Sequence, residues 1–216
     1  MPFEPKTMAA CAALVLAGGC STLQDAGGLQ TTEHRVGVTS TAPALKGQRA
    51  ELYVREVTPA RAGKLAAVVF VHGAGTPGEV SFDSRMVDYS WMKQVAQAGF
   101  DTFSVSLTGY GRSTRPAAME DRCNIVNTQQ AGYVAAPCPP SFTSPIATST
   151  SDWNDIGAVV EYVKRLRGVD RVSLVGWSQG GPRITGYTLL HPENVDRIVV
   201  LAPAYVGGPE IGRAHV

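Results

Sequence analysis

Val172-Ser173-Leu174-Val175-Gly176-Trp177-Ser178-Gln179-Gly180-Gly181-Pro182 is the stretch on which the reading of this chain turns. Residues 172–175, with Val172, Leu174 and Val175, predict a buried strand. Residues 179–190 predict a helix that stops before Pro192. Between them lies a G-x-S-x-G turn, Gly176-Trp177-Ser178-Gln179-Gly180. So sharp a strand-to-helix turn holds its serine in a strained backbone conformation with Oγ exposed. Side chains at 176 and 180 would collide across the turn, so glycine stands at both. The helix begun at Gln179 aims unpaired N–H groups at the serine, where they favour negative charge. Pro182 fits the first turn, where few N–H groups have partners. A Gly-rich turn with an incidental serine would read similarly; the flanking strand and helix single out Ser178 as a candidate nucleophile.

Upstream, residues 66–71 (AAVVFV) are a continuous apolar run ended by His72-Gly73-Ala74-Gly75. That pattern predicts a strand buried on both faces. The backbone N–H of Ala74 is placed to pair with that of Gln179 as an oxyanion hole, with Gly73 keeping the loop close. Two fixed donors aimed at a developing alkoxide are worth several kcal/mol each. His72 reads as a brace for this loop rather than a proton shuttle. A third Gly-rich turn, Thr108-Gly109-Tyr110-Gly111-Arg112-Ser113, follows the strand expected over 100–106.

The rest of the chain alternates strand and helix. Residues 34–39 and 51–57 carry β-branched residues in partial alternation and predict two leading strands, antiparallel to each other. Residues 89–98 predict a helix. Residues 152–167 predict an amphipathic helix with Trp153, Ile156, Val159, Val160, Val163 and Leu166 on one face, ended by Gly168. Residues 198–201 predict the last strand. Residues 107–150 are rich in Gly, Pro, Ser and Thr, and a loop of that length is usually a lid or a binding wall. This alternation predicts an α/β fold with a mainly parallel, doubly wound sheet.

With the motifs in place, the sequence resembles the α/β-hydrolase family over roughly Glu51 to Tyr205. The resemblance rests on the strand-HG, GYGRS and GWSQGG motifs in order and context. It implies Ser-His-Asp/Glu chemistry: attack on an acyl carbon, an acyl-enzyme, and hydrolysis by water. A serine nucleophile disfavours the epoxide hydrolase and haloalkane dehalogenase branches, which need a carboxylate. Ester hydrolysis is the default; peptidase, C–C hydrolase and perhydrolase branches share the elbow.

In that family the acid and histidine follow the nucleophile in the chain. Here 38 residues follow Ser178, and the four histidines are His34, His72, His191 and His215. His191 reads as a capping or surface residue. Glu210 follows the last strand, and His215 is next to the carboxyl terminus. The stretch Glu210–Val216 can be encoded by GAG ATC GGA AGA GCA CAC GTC, which apart from its first base is the opening of a widely used short-read sequencing adapter. We read 210–216 as a non-native tail. The natural protein is then expected to continue past about Pro209, so the hydrolase domain over 34–209 is partial and lacks its C-terminal strands, acid and histidine.

No charge occurs between Lys6 and Asp25, and residues 8–17 are ten apolar residues ending in Gly18-Gly19-Cys20. Ten are too few to span a bilayer but suit a signal-peptide core. Residues 1–19 are read as a signal peptide and 20–33 as a polar linker. Leu16-Ala17-Gly18-Gly19-Cys20 resembles the bacterial lipoprotein box, with Ala17 where an aliphatic residue usually stands; cleavage without lipidation suits Ala17 and Gly19 as well. A buried apolar helix of a cytosolic protein is the plain alternative. The expectation is export to the periplasm or cell envelope, with Cys20 lipidated. That leaves Cys123 and Cys138 as an even pair in one loop, able to close a disulfide worth roughly 3 kcal/mol, or standing as two unrelated buried thiols.

Composition removes other classes. Of 216 residues, Lys+Arg 19 against Asp+Glu 18 leaves a net charge of +1, so no basic excess points to nucleic acid. No Cys or His occurs at ligand spacing, and no metal or cofactor is implied. The expectation is therefore a serine hydrolase on a small ester-like substrate, inactive as this chain stands and touching membrane only through a lipid anchor. The alternative is a non-catalytic binding protein on the same fold.

Overall fold

The computed structural model describes residues 22–24, 28–60, 63–84, 86 and 89–204. The expectations for 1–19, Cys20, Glu210 and His215 lie outside the described residues.

Among these, seven strands form one sheet: β1 (Thr22–Gln24), β2 (Leu29–Thr39), β3 (Arg49–Pro59), β4 (Ala67–Val71), β5 (Asp101–Ser106), β6 (Val172–Trp177) and β7 (Val195–Leu201). Their order is β1-β2-β3-β5-β4-β6-β7. The helices are α1 (Gly78–Phe82), α2 (Trp91–Gln97), α3 (Ser149–Arg167) and α4 (Gly180–Leu190).

The sheet is mixed. β5, β4, β6 and β7 run parallel, whereas β1–β2, β2–β3 and β3–β5 pair antiparallel. The expectation of a mainly parallel sheet therefore holds for one half. The leading strands form the other half because they are joined by a short hairpin-like connection, whereas parallel neighbours need a helical crossover.

Both faces of β4, inside the parallel half, are covered, whereas β7 is exposed after Val195. All five residues of β4 are buried and alternate between two cores. Val69 and Val71 face Ile156, Val159 and Val160 of α3 and Ile184 of α4. Val68 and Phe70 face Phe82 of α1 and Met92 and Ala96 of α2. Each such side chain, fully buried, contributes about 1.5–3 kcal/mol. This double burial is why β4 reads as an unbroken apolar run.

Several bounds differ from the sequence reading. The stretch expected as a linker carries strand: residues 22–24 pair with 30–32, and β2 begins at Leu29, which is buried beside Val57. The β2–β3 ladder runs unbroken from Leu29↔Pro59 to Thr39↔Arg49, so backbone pairing carries polar Gln30–Glu33 into the strand. α1, at five residues, has no helical period to read. α3 starts three residues earlier than expected, at a capping box in which Thr148 and Ser151 exchange side-chain and backbone bonds. It ends at Gly168 in the left-handed region, φ 60°. Leu166, expected on its apolar face, is exposed. β7 starts at Val195, three residues before the expected strand.

The chain passes from β4 to β5 on one side and then returns to β6 on the other. The carboxyl ends of β4 and β6 thus flank a topological switch point, where open α/β sheets place their ligands. His72-Gly73 leaves β4 there, and Ser178 leaves β6 there.

Candidate active site

Ser178 sits between β6 and α4 with φ 55°, one of two non-glycine residues with positive φ among those described. A left-handed conformation at a non-glycine residue costs roughly 1–3 kcal/mol and persists only where the surroundings impose it. Here they do. The Ser178 N–H donates to Leu201 O at 3.0 Å, and Ser178 O accepts from Gly181 N and Ala204 N, each at 3.0 Å. β7 and the residues after it thus clamp the turn.

The three site glycines are set by close approach. A Cβ on Gly176 would run into the carbonyl of Gly180, and one on Gly180 into the carbonyl of Val71. A Cβ on Gly73 would meet Ser178 itself. The structure thereby brings together Gly73, Gly176, Ser178 and Gly180. Gln179 is the N-cap of α4, immediately after Ser178, and Ala74 is the exposed residue after Gly73. Among the described residues, neither the Ala74 nor the Gln179 N–H donates a hydrogen bond, so both are free for an incoming anion.

His72 is fully buried, with both ring nitrogens used. The Leu107 N–H donates to Nε2 at 3.2 Å, so Nδ1 carries the proton and donates to Gly73 O at 2.7 Å. Burial, with the Arg183 charge adding to it, pushes its pKa down to about 3. The ring is thus a neutral brace, packed at a tilt of 57° against Tyr110 with 4.4 Å between centroids. The other described histidines are also engaged elsewhere. His34 lies between Glu56 (2.7 Å) and the Tyr162 hydroxyl (2.8 Å), and His191 caps α4, exposed, 3.4 Å from Glu193. Among the described residues Ser178 Oγ has no hydrogen-bond partner.

Sequence reasoning missed the residues that support this site from behind. Asp155 Oδ2 accepts the Thr108 N–H at 2.8 Å, and burial pushes its carboxyl up to about 6. Arg183 Nε donates to Asp152 Oδ2 at 2.7 Å. The available signal was Arg183 beside Ile184 on the buried stripe of a short helix: a charge there demands a partner.

Cys123 and Cys138, in the 107–150 loop, are disulfide-bonded with Cα atoms 5.3 Å apart. Among the described residues no three His, Cys, Asp or Glu side chains group as a metal site would require. Two cavities, of about 590 and 520 Å³, lie beside Trp153 and Tyr187 and beside Arg55 and Glu79; Ser178 lines neither.

The sequence pattern of the alpha/beta hydrolase fold matches residues 66–214. The chain belongs to the α/β-hydrolase fold family. Solved structures agree at the level of fold. An epoxide hydrolase from Vigna radiata is 19% identical with TM-score 0.50, over 83% of this chain and 43% of its own length. A thermophilic esterase from Thermogutta terrifontis is 16% identical with TM-score 0.52, over 82% of this chain and 48% of its own. The chain thus spans less than half the length of either. No curated protein sequence matches it.

Proposed function

We propose that this α/β-hydrolase chain carries the nucleophile and oxyanion site of a serine hydrolase acting on small esters. The supporting observation is Ser178 held at φ 55° against Gly73, at the switch point of the sheet. Ser178 Oγ attacks the acyl carbon; the alkoxide that forms takes hydrogen bonds from the Ala74 and Gln179 N–H groups; the alcohol leaves and water hydrolyses the acyl-enzyme. The serine favours acyl over epoxide substrates, since alkyl attack needs a carboxylate. No step calls for a cofactor.

The base and acid of this reaction belong outside the described residues, because His34, His72 and His191 are each engaged elsewhere. We propose that the natural chain continues past about Pro209 and supplies them. We further propose export, with Cys20 as the lipid-bearing residue. A binding protein on the same fold is the alternative.

The test is ester turnover by the uninterrupted gene product, its Ser178→Ala variant and the 216-residue chain. We expect turnover from the first alone, with a loss of at least ~10³-fold in the variant. Turnover that survives Ser178→Ala would overturn the nucleophile. Full activity from the 216-residue chain would return His215 to the site.

A further inference from the structure

Arg183 stands on α4, five residues after Ser178, with 8% of its surface exposed. Besides Asp152, it serves two backbone carbonyls: Nη1 donates to His72 O at 3.0 Å and to Gly73 O at 3.1 Å. Gly73 O also accepts from His72 Nδ1 at 2.7 Å. One carbonyl therefore receives two donors, one of them charged. An arginine that only neutralised Asp152 would not need either carbonyl.

The Gly73 carbonyl and the Ala74 N–H belong to the same peptide unit. That unit is planar and trans, so pinning its oxygen fixes its N–H, which points away from the guanidinium. Donors on the oxygen also polarise the amide and strengthen its N–H as a donor. The other proposed oxyanion donor, Gln179 N–H, sits at the start of the same helix that carries Arg183. One rigid element thus fixes both donors relative to Ser178, although they come from loops 105 residues apart in the chain.

We infer that Arg183, held by Asp152, is a positioning residue that sets the direction and donor strength of the Ala74 N–H toward a developing oxyanion. The inference rests on the proposed roles of Ser178, Ala74 and Gln179. His72 contributes through its own hydrogen bond to the same carbonyl.

The experiment uses the uninterrupted gene product, with Arg183→Lys and the double variant Asp152→Asn/Arg183→Gln, which removes both charges of the buried Arg183–Asp152 pair together. Ester kinetics are measured beside the affinity for an alkyl boronic acid, whose tetrahedral adduct on a serine carries the negative charge. Removing an oxyanion donor outright costs about 10²–10³ in kcat. A misaimed donor should cost less, about 10–100-fold, with KM unchanged within about twofold and boronate affinity falling by the same factor as kcat. Arg183→Lys, with a point charge that reaches one carbonyl, should fall between. Unchanged kcat and boronate affinity in either folded variant would overturn the inference. So would equal weakening of substrate and boronate, which would mean a loosened pocket. Should the double variant not fold, Arg183→Lys carries the same comparison. Failure of the underlying reading is separate: it shows as turnover by Ser178→Ala, whatever Arg183 does.

Discussion

A methyl group on Gly73 would stand 2.8 Å from Ser178 Cβ and 3.2 Å from Ser178 Oγ, with the Trp177 carbonyl oxygen at 3.1 Å. Two loops 105 residues apart in sequence therefore meet at van der Waals limit, with the Ser178 hydroxyl in the contact.

Gly73→Ala should force these loops apart. Overpacking of this kind costs roughly 1–3 kcal/mol. Urea denaturation should show that loss, and in the uninterrupted gene product ester turnover should fall by at least about tenfold, because the proposed oxyanion donors and Oγ move relative to each other. Gly132→Ala is the control: an added Cβ there meets open space, and its denaturation midpoint should not move.

How much of this was legible in the sequence depends on distance along the chain. The elbow is local: strand, turn and helix are contiguous, so Ser178 and its flanking glycines could be read from spacing alone. Gly73 could be read as a loop residue, but not as the residue touching Ser178, because that contact requires β4 and β6 to be neighbours. Polar Gln30–Glu33 hid the start of β2, since ladder pairing with β3 rather than side-chain pattern holds it there. The support by Arg183 and Asp155 was hidden for a related reason: they bond backbone groups of other loops, which leave no mark on sequence, and Asp152 is placed only through Arg183.

Asp155 should make stability depend on pH. Its folded pKa, pushed up by burial to about 6, lies above the ordinary value near 3.9. The folded state therefore binds a proton more tightly than the unfolded state. The contribution to stability is present in full below about pH 4 and is lost as pH rises through about 6. Asp155→Asn keeps an oxygen for the Thr108 N–H but removes this titration. Its stability relative to the parent should improve between pH 4 and pH 7, by up to about 3 kcal/mol. A stability difference that does not change with pH would show that Asp155 does not titrate in this window.

Gln130 should hold the disulfide loop together. It is fully buried; its Nε2 shares two hydrogens among the carbonyls of Cys123 (3.1 Å), Ile125 (3.0 Å) and Cys138 (3.1 Å), and its Oε1 accepts the Cys138 N–H at 3.0 Å. Gln130→Leu would leave these groups unpaired, at about 1–3 kcal/mol for each that water cannot reach. Hydrogen exchange over residues 123–138 should quicken at least tenfold, with exchange in β4 and β6 unchanged. Reducing the Cys123–Cys138 bond should also loosen this loop, with a cost of roughly 3 kcal/mol on the chain-entropy model.

At the amino end of β5, opposite the elbow, Arg167 pairs with both Glu56 and Asp101. Both carboxyls are buried, 2% and 1% exposed. Burial works against ionisation of Glu56, yet bonding to His34 and the Arg167 charge hold its carboxyl below the usual range. Burial, with the neighbouring Glu56 charge adding to it, pushes Asp101 up to about 6 against the pull of Arg167. Arg167→Met removes the only cation placed between them among the described residues, and both carboxyls must then rise further. Breaking a buried pair from one side costs roughly 3–5 kcal/mol. The sign with pH follows. At pH 7.5 the variant must hold uncompensated buried negative charge or take up a proton to avoid it; at pH 5 Asp101 is already protonated, and the deficit should shrink. Urea denaturation at the two pH values measures both quantities. Adding Asp101→Asn to Arg167→Met removes one of the stranded charges and should restore at least about 1 kcal/mol at pH 7.5 while changing little at pH 5. An Arg167→Met deficit equal at both pH values would mean that the arginine contributes packing over the Phe103 ring, 5.4 Å from its guanidinium carbon, rather than charge.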